Sequence, residues 1–248
     1  VSVISTKHND VIDVIDGFDG PSGIVITPNN KFAYVANYGS AEGVGAGNGT
    51  TVNVVDLKTN TIIGEPIIVG LAPTALAISP DGEFVYVINY IDGTPGSGSM
   101  NIIKTKNNTV TATITGFFGP ADIVVTPNGK YAYITNFGNN DLTPNGTTVS
   151  VVKLHHHLKI VDTIEVGIQP SGIAITPNGH FVYVTNYNTL SSGAGEGTVN
   201  IIKTHTNKVI PPTIVVGESP KAIAISSNGK FAYVTNYTSN TVSVIKIK

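Results

Sequence analysis

Short runs in which apolar and polar residues alternate fill this chain, and Gly, Asn or Pro stops each run. Phe32, Tyr34 and Tyr38 fall on one side of an extended segment, with Ala33, Val35 and Asn37 on the other. That is the period of two expected of a half-buried strand. The runs are rich in Val, Ile, Thr and Tyr, which fit a pleated surface. No segment sustains the 3.6-residue spacing of an amphipathic helix. The pattern predicts an all-β protein.

A tetrapeptide organises the runs. YVAN at 34–37 returns as YVIN at 86–89, YITN at 133–136, and YVTN at 183–186 and 233–236, with Tyr-to-Tyr steps of 52, 47, 50 and 50 residues. A period of this size marks one supersecondary unit copied so that neighbours share a core, and it predicts a single domain over residues 1–248. Each unit holds four strand-like pieces, called a, b, c and d; in the fourth they are PSGIAITP, HFVYVTN, TVNIIKT and KVIPPTIVVG. The a-to-b connections read PNN, PDG, PNG, PNG and SNG, tight turns in which Gly or Asn accepts positive φ. A four-stranded antiparallel unit of this kind, repeated radially, is a β-propeller blade.

The tetrapeptides and the preceding P-x-x-I-x-I-T-P-N-G phrase resemble the YVTN family of β-propeller repeats over essentially the whole chain. The resemblance implies strand a at a central channel and d outermost. It also implies a secreted or cell-surface protein of the surface-layer type, used for binding or assembly. Lactonase-like propellers are similar more distantly; they use channel-lining carboxylates, Asn and a divalent metal, and Asp122 is the sole acid among the a strands.

The repeats supply five a, five b, six c and five d strands. The chain opens on c-like VSVIST and d-like DVIDVID (Asp10 to Asp16) and stops after c-like TVSVIKIK. The expected closure is a five-blade ring in which Asp10 to Asp16 completes the last blade as its outer strand, removing an exposed edge. The identical words VSVI at 1–4 and 242–245 then compete for one place. A longer propeller of six or seven blades is the rival closure, and assembly through unpaired terminal strands a further alternative.

Composition narrows the partners. The 248 residues carry 14 basic side chains, all Lys, against 16 acids, for a formal net charge of −2. Phosphate and base-edge recognition leans on the guanidinium group, so no nucleic-acid partner is expected. No apolar run approaches the roughly 18 residues of a membrane span, and no signal or transit segment is expected in the chain. The absence of Cys rules out disulfides, thiolate zinc and a thiol nucleophile. Asn-X-Ser/Thr acceptors occur at Asn48, Asn107, Asn145 and Asn236.

In a four-strand meander the a–b and c–d turns share one end, and the b–c and d–a connections the other. Eleven of the 14 Lys and all six His fall at the first end, including His155 to His157. The HHH run reads as a hairpin tip able to take adventitious Zn or Ni. The acids Glu42, Asp92, Asp122, Asp141 and Glu196 fall at the second, with Lys221 among them and four long Gly-rich b–c loops. Variable loops collect on binding faces, and a polarised charge distribution orients encounters. After each blade-opening Pro, only Asp122 and Lys221 bring charge. A polar site, or a Ca²⁺ site at Asp122, is expected there.

The reading is therefore a non-catalytic binding and assembly module engaging a protein or carbohydrate at a surface through the long-loop face. The ligand-binding candidates are Asp122, Lys221, Glu42, Asp92, Asp141 and Glu196; no residue is assigned a catalytic role and Ca²⁺ is the one cofactor considered. The alternative is a metal-dependent lactonase or hydrolase working at the channel mouth. The repeated Asn is expected to cap its strand by bonding backbone in the following loop.

Overall fold

The computed structural model describes residues 1–39, 48–90, 98–138, 145–155, 157–190, 193–194 and 196–247. All regular elements among them are strands. The first sheet pairs β1 (Ser2–Ser5) with β2 (Asp10–Val14). Next come β3 (Pro21–Ile26), β4 (Phe32–Asn37), β5 (Thr51–Asp56) and β6 (Thr61–Ile68), then β7 (Pro73–Ile78), β8 (Phe84–Asn89), β9 (Gly98–Lys104) and β10 (Thr109–Phe117). The fourth sheet is β11 (Pro120–Val125), β12 (Tyr131–Gly138), β13 (Asn145–Lys153) and β14 (Lys159–Glu165). In the fifth, β15 (Pro170–Ile175), β16 (Phe181–Asn186), β19 (Gly197–Lys203) and β20 (Lys208–Val216) enclose a small hairpin of β17 (Thr189–Leu190) and β18 (Gly193–Ala194). The last holds three strands, β21 (Pro220–Ile225), β22 (Phe231–Asn236) and β23 (Thr241–Lys246).

The strand inventory of a, b, c and d pieces is the one the sequence predicts, and the class is all-β. The blade count and closure differ. Among the described residues six sheets follow one another besides the small β17–β18 hairpin, four of them with four strands, and β2 pairs with β1 instead of completing the sheet of β21 to β23. The reason is local. Asn9 at φ 58° turns the chain straight back, with its N–H donating to Ser5 O at 2.7 Å. The Val1 ammonium and Ile15 N–H bond the other end of the hairpin at 2.7 and 2.8 Å. A contact between neighbours in sequence closes a far shorter loop than one between chain ends.

The strands group into two compact units, Val1–Tyr90 with Ser99–Thr113, and Ile91–Gly98 with Ile114–Lys248. In the first, the pleat of β4 splits its residues between two cores: Tyr34 and Ala36 pack with Val52, Leu76 and Val85, while Ala33 and Val35 pack with Val55 and Ile15. In the second, Tyr133 packs with Val151, Ile173 and Val184. Tyr34 and Tyr133 thus fill the wedge between successive sheets of their own units. Tyr34 and Tyr133 are each 1% exposed. Their hydroxyls donate to Asn108 Oδ1 at 2.6 Å and Asn207 Oδ1 at 2.7 Å, both in c–d turns of the next sheet. Asn207 in turn donates to Asp162 at 2.9 Å, so one amide joins the ring and outer strand of one sheet to the turn of its neighbour. Burial pushes the phenols of Tyr34, Tyr86 and Tyr133 up to about 12.

The motif Asn reaches across the sheet, not along the following loop. Asn186 Nδ2 donates to Thr198 and Asn200 on β19 at 2.9 and 2.8 Å, and Asn37 makes the equivalent bonds to Thr51 and Asn53. Asn186 and Asn200 both accept from the N–H of Gly167 in the d–a connection. A Cβ on Gly167 would lie 2.5 Å from the Asn186 carboxamide, which fixes Gly at that place. Asn236 is buried with its amide bonded to Thr241 and Ser243, so it is not an available glycosylation acceptor.

Truncating a buried aromatic ring costs about 3–5 kcal/mol, so Tyr133→Ala and Tyr183→Ala are each expected to destabilise by that amount in denaturant unfolding. Tyr233→Ala, at a ring 43% exposed, is expected to cost far less. Because the buried phenols hold their protons more tightly than the unfolded chain does, stability should fall as pH rises from about 10 toward 12.

Candidate functional site

The inner strand of each four-stranded unit begins with Pro, and in β3, β11 and β15 the residues after it meet the next inner strand. Gly23 and Gly172 occupy the third position because the neighbouring strand is close: a Cβ on Gly172 would sit 2.7 Å from Lys221 O. Ser22 and Ser171 donate to the Pro carbonyl opening the next inner strand, Pro73 at 2.8 Å and Pro220 at 2.9 Å. Thr135 donates to Ser171 O at 2.8 Å.

Asp122 stands where the other units have Gly or Ala. Its Oδ1 accepts from Ile123 N–H at 2.8 Å, and its Oδ2 from Ile173 N–H at 3.1 Å on the next inner strand. The carboxylate is a staple between β11 and β15. Although the residue keeps some solvent contact, the carboxyl itself is enclosed, and that burial raises its pKa to about 6 against the two N–H donors, which lower it. Two N–H groups facing the oxygens make a poor calcium cradle, which needs several convergent oxygens. Among the described residues no three His, Asp or Glu side chains gather anywhere. The residues at Asp122 do not fit a Ca²⁺ site.

The remaining candidates are dispersed. Lys221 is exposed, with its ammonium 5.8 Å from the centroid of Tyr237, a cation–π contact. Its carbonyl accepts from Ser171 at 3.1 Å. Glu196 is exposed and its carbonyl accepts from Asn188 at 2.9 Å. Glu42, Asp92 and Asp141 lie outside the described residues, as does His156. Asp122 is thus engaged by backbone N–H groups, and Lys221 by the Tyr237 ring.

A feature that charge counting misses is the aromatic residue directly after each motif Asn: Tyr38, Tyr90, Phe137, Tyr187 and Tyr237. The first four are half-buried, and Tyr237 is 66% exposed. In the second unit Phe137 and Tyr187 stack across adjacent sheets, centroids 6.0 Å apart and tilted by 58°. An open cleft of about 350 Å³ beside Tyr237 is lined by Lys221, Thr235, Asn236, Asn240, Thr241 and Val242.

The Asp122 carboxyl binds its proton more tightly folded than unfolded, where the ordinary value is 3.8. Its contribution is therefore greatest at low pH and is lost as pH rises through about 6, by at most about 3 kcal/mol. Asp122→Asn should flatten the stability profile between about pH 4 and pH 7 in denaturant titrations; an unchanged slope would show that the carboxyl is not enclosed.

The family model described as "Lactonase, 7-bladed beta-propeller" matches residues 91–192, under half of the chain. The uncharacterized protein YwhL of Bacillus subtilis is 32% identical over 170 residues, which are 66% of this chain and 31% of that protein. The seven-bladed beta-propeller protein Rv1057 of Mycobacterium tuberculosis is 28% identical over 130 residues, 51% of this chain and 29% of that one. The chain thus spans about three tenths of these curated relatives. Among solved structures, the hydrazine synthase of Kuenenia stuttgartiensis superposes with a TM-score of 0.82 at 23% identity, covering 99% of this chain and 77% of that one. A candidate 6-phosphogluconolactonase of Bacteroides uniformis gives 0.56 at 16%, covering 94% and 82%. At such identities the likeness is one of fold. Antiparallel four-stranded repeats, the matching family model and these neighbours converge: the chain is a β-propeller protein.

Proposed function

We propose that the chain is a non-catalytic binding and assembly module of a secreted or cell-surface protein, meeting a protein or carbohydrate at the end of the sheets where the b–c loops emerge. The observation that carries this reading is the aromatic series at that end, above all the Phe137–Tyr187 pair and the exposed Tyr237 with Lys221 beside it. Aromatic rings with a cationic neighbour give large, stiff contact area with a polar rim, the composition of interface anchors. Asp122, the carboxylate that a channel-mouth enzyme would call upon, has each oxygen engaged by a backbone N–H.

A second reading rests on the family match over 91–192, a span that contains Asp122. A carboxyl with its pKa raised to about 6 is tuned as a general acid or base, and this favours lactone hydrolysis.

One assay separates them. The chain is offered a panel of sugar and acyl lactones with Ca²⁺, Mn²⁺ or Zn²⁺ supplied, and in parallel a glycan and protein array. The binding reading predicts no hydrolysis above the solution rate, and array capture weakened about tenfold or more by Tyr187→Ala or Tyr237→Ala, the loss of an anchor worth about 1.4 kcal/mol or more. Turnover that Asp122→Asn abolishes replaces it with the second reading.

A further inference from the structure

At the end of the sheets opposite the b–c loops, the a–b turns of the fourth and fifth sheets frame an open cleft of about 540 Å³. Asn128 and Tyr131 line it from the fourth sheet, and Asn178, His180 and His205 from the fifth. The same crevice lies between the sheets of β3 to β6 and β7 to β10, where Phe32, Asp81 and Lys106 stand at the places of Tyr131, Asn178 and His205. Between the fifth and last sheets Phe181 and Lys230 stand at the places of Tyr131 and His180. Of these three crevices, the one between the fourth and fifth sheets alone combines a phenol with two imidazoles. A departure from the repeat at three positions that share one cleft is not explained by the turns, which keep the same form elsewhere.

The turns decide which atoms the cleft offers. Asn128 Oδ1 accepts from the Thr126 hydroxyl at 2.7 Å and Lys130 N–H at 3.0 Å, and Asn178 Oδ1 accepts from Thr176 and His180 N–H at the same distances. A backbone N–H can only donate, so the oxygen of each amide is used within its own turn and the two NH₂ groups are left over. Neither Nδ2, nor the Tyr131 hydroxyl, nor either imidazole makes a hydrogen bond among the described residues. The His180 ring is held edge-on to Phe181, centroids 6.4 Å apart at 83°. Among the described residues that line the cleft there is no Asp or Glu. The nearby Asp162 is bonded to Asn207 at 2.9 Å.

We propose that this cleft binds a carboxylate-bearing sugar, a hexuronate unit. The amide NH₂ groups of Asn128 and Asn178 donate and cannot accept, which suits a carboxylate, an acceptor with about four lone-pair sites. The phenol of Tyr131 and the imidazoles of His180 and His205 can each donate and accept, as a sugar hydroxyl does. The volume is that of a small-molecule site, and the Lys-rich end of the sheets attracts an anion. In the matching crevice of the first unit, Asp81 places a carboxylate where Asn178 has its amide, so an anionic sugar is refused there. The site lies at the other end of the sheets from the aromatic series and does not rest on the proposed function.

The test is titration of the intact, ¹⁵N-labelled chain with methyl glucuronoside, methyl glucoside and acetate, followed by amide shifts. The glucuronoside should give saturable shifts at residues 128–131 and 178–180, with the glucoside and acetate each bound about tenfold more weakly or less. Tyr131→Phe should weaken glucuronoside binding about threefold or more, and His180→Glu about tenfold or more. Both substitutions give the residue type that the chain carries at positions 32 and 83, and unchanged shifts elsewhere verify the fold. Tyr187→Ala, at the opposite end, should leave binding as it is. The proposal is overturned if the glucuronoside moves no amide of the cleft, if the glucoside or acetate binds as well, or if both cleft variants bind normally. Loss of binding in Tyr187→Ala alone would place the sugar at the b–c end and likewise overturn it.

Discussion

Burying a tyrosine between two sheets is favourable only if its hydroxyl finds a partner there, and much of the chain's regularity follows from meeting that condition. The ring brings the apolar area that holds one sheet on the next. The hydroxyl needs an acceptor at a fixed height above the sheet, and an Asn in the left-handed conformation at the c–d turn provides it. Leaving that hydroxyl buried without a partner would cost about 1–3 kcal/mol, a penalty avoided at Tyr34 and at Tyr133. The pairing of a b-strand Tyr with a turn Asn is made at Tyr34–Asn108 and at Tyr133–Asn207, and the outer-strand Asp162 joins the second.

The inner strands obey a second condition, close approach of backbones. Gly23 and Gly172 permit it, and Ser22 and Ser171 use it to reach the next Pro carbonyl. Asp122 meets the same need with a carboxylate instead of contact, at the cost of holding a charge out of water. A unique acid in a repeat protein draws attention as a ligand. Here one oxygen accepts from Ile123 N–H on its own strand and the other from Ile173 N–H on the neighbouring one.

The alternation of apolar residues and the tetrapeptide made the strands, their order within each sheet and the buried tyrosines legible from sequence alone. Pairing across the chain ends was not legible, because VSVI at 1–4 and 242–245 satisfies the same place equally and only the Asn9 turn decides for the local hairpin. The role of the motif Asn was half legible. Its structural character follows from repetition, but its bonds run to the c strand and to Gly167, which depends on the close approach of a loop distant in sequence. Asp122 looked like a site because it breaks the repeat, and its partner, the N–H of Ile173, carries no side-chain signature. The turn Asn of KTNT, KNNT and HTNK was visible as a turn residue; its bond to a tyrosine one sheet away was not.

Amide hydrogen exchange tests most directly whether the tyrosine junction stabilises each sheet. Amides of Phe32–Asn37, Tyr131–Gly138 and Phe181–Asn186, whose rings are covered, should exchange far more slowly than those of Phe231–Asn236, whose ring is not, although all four strands are paired on both sides. Equal protection in Phe231–Asn236 would mean that hydrogen bonding within each sheet suffices and that the buried ring and its Asn are not what the fold depends on.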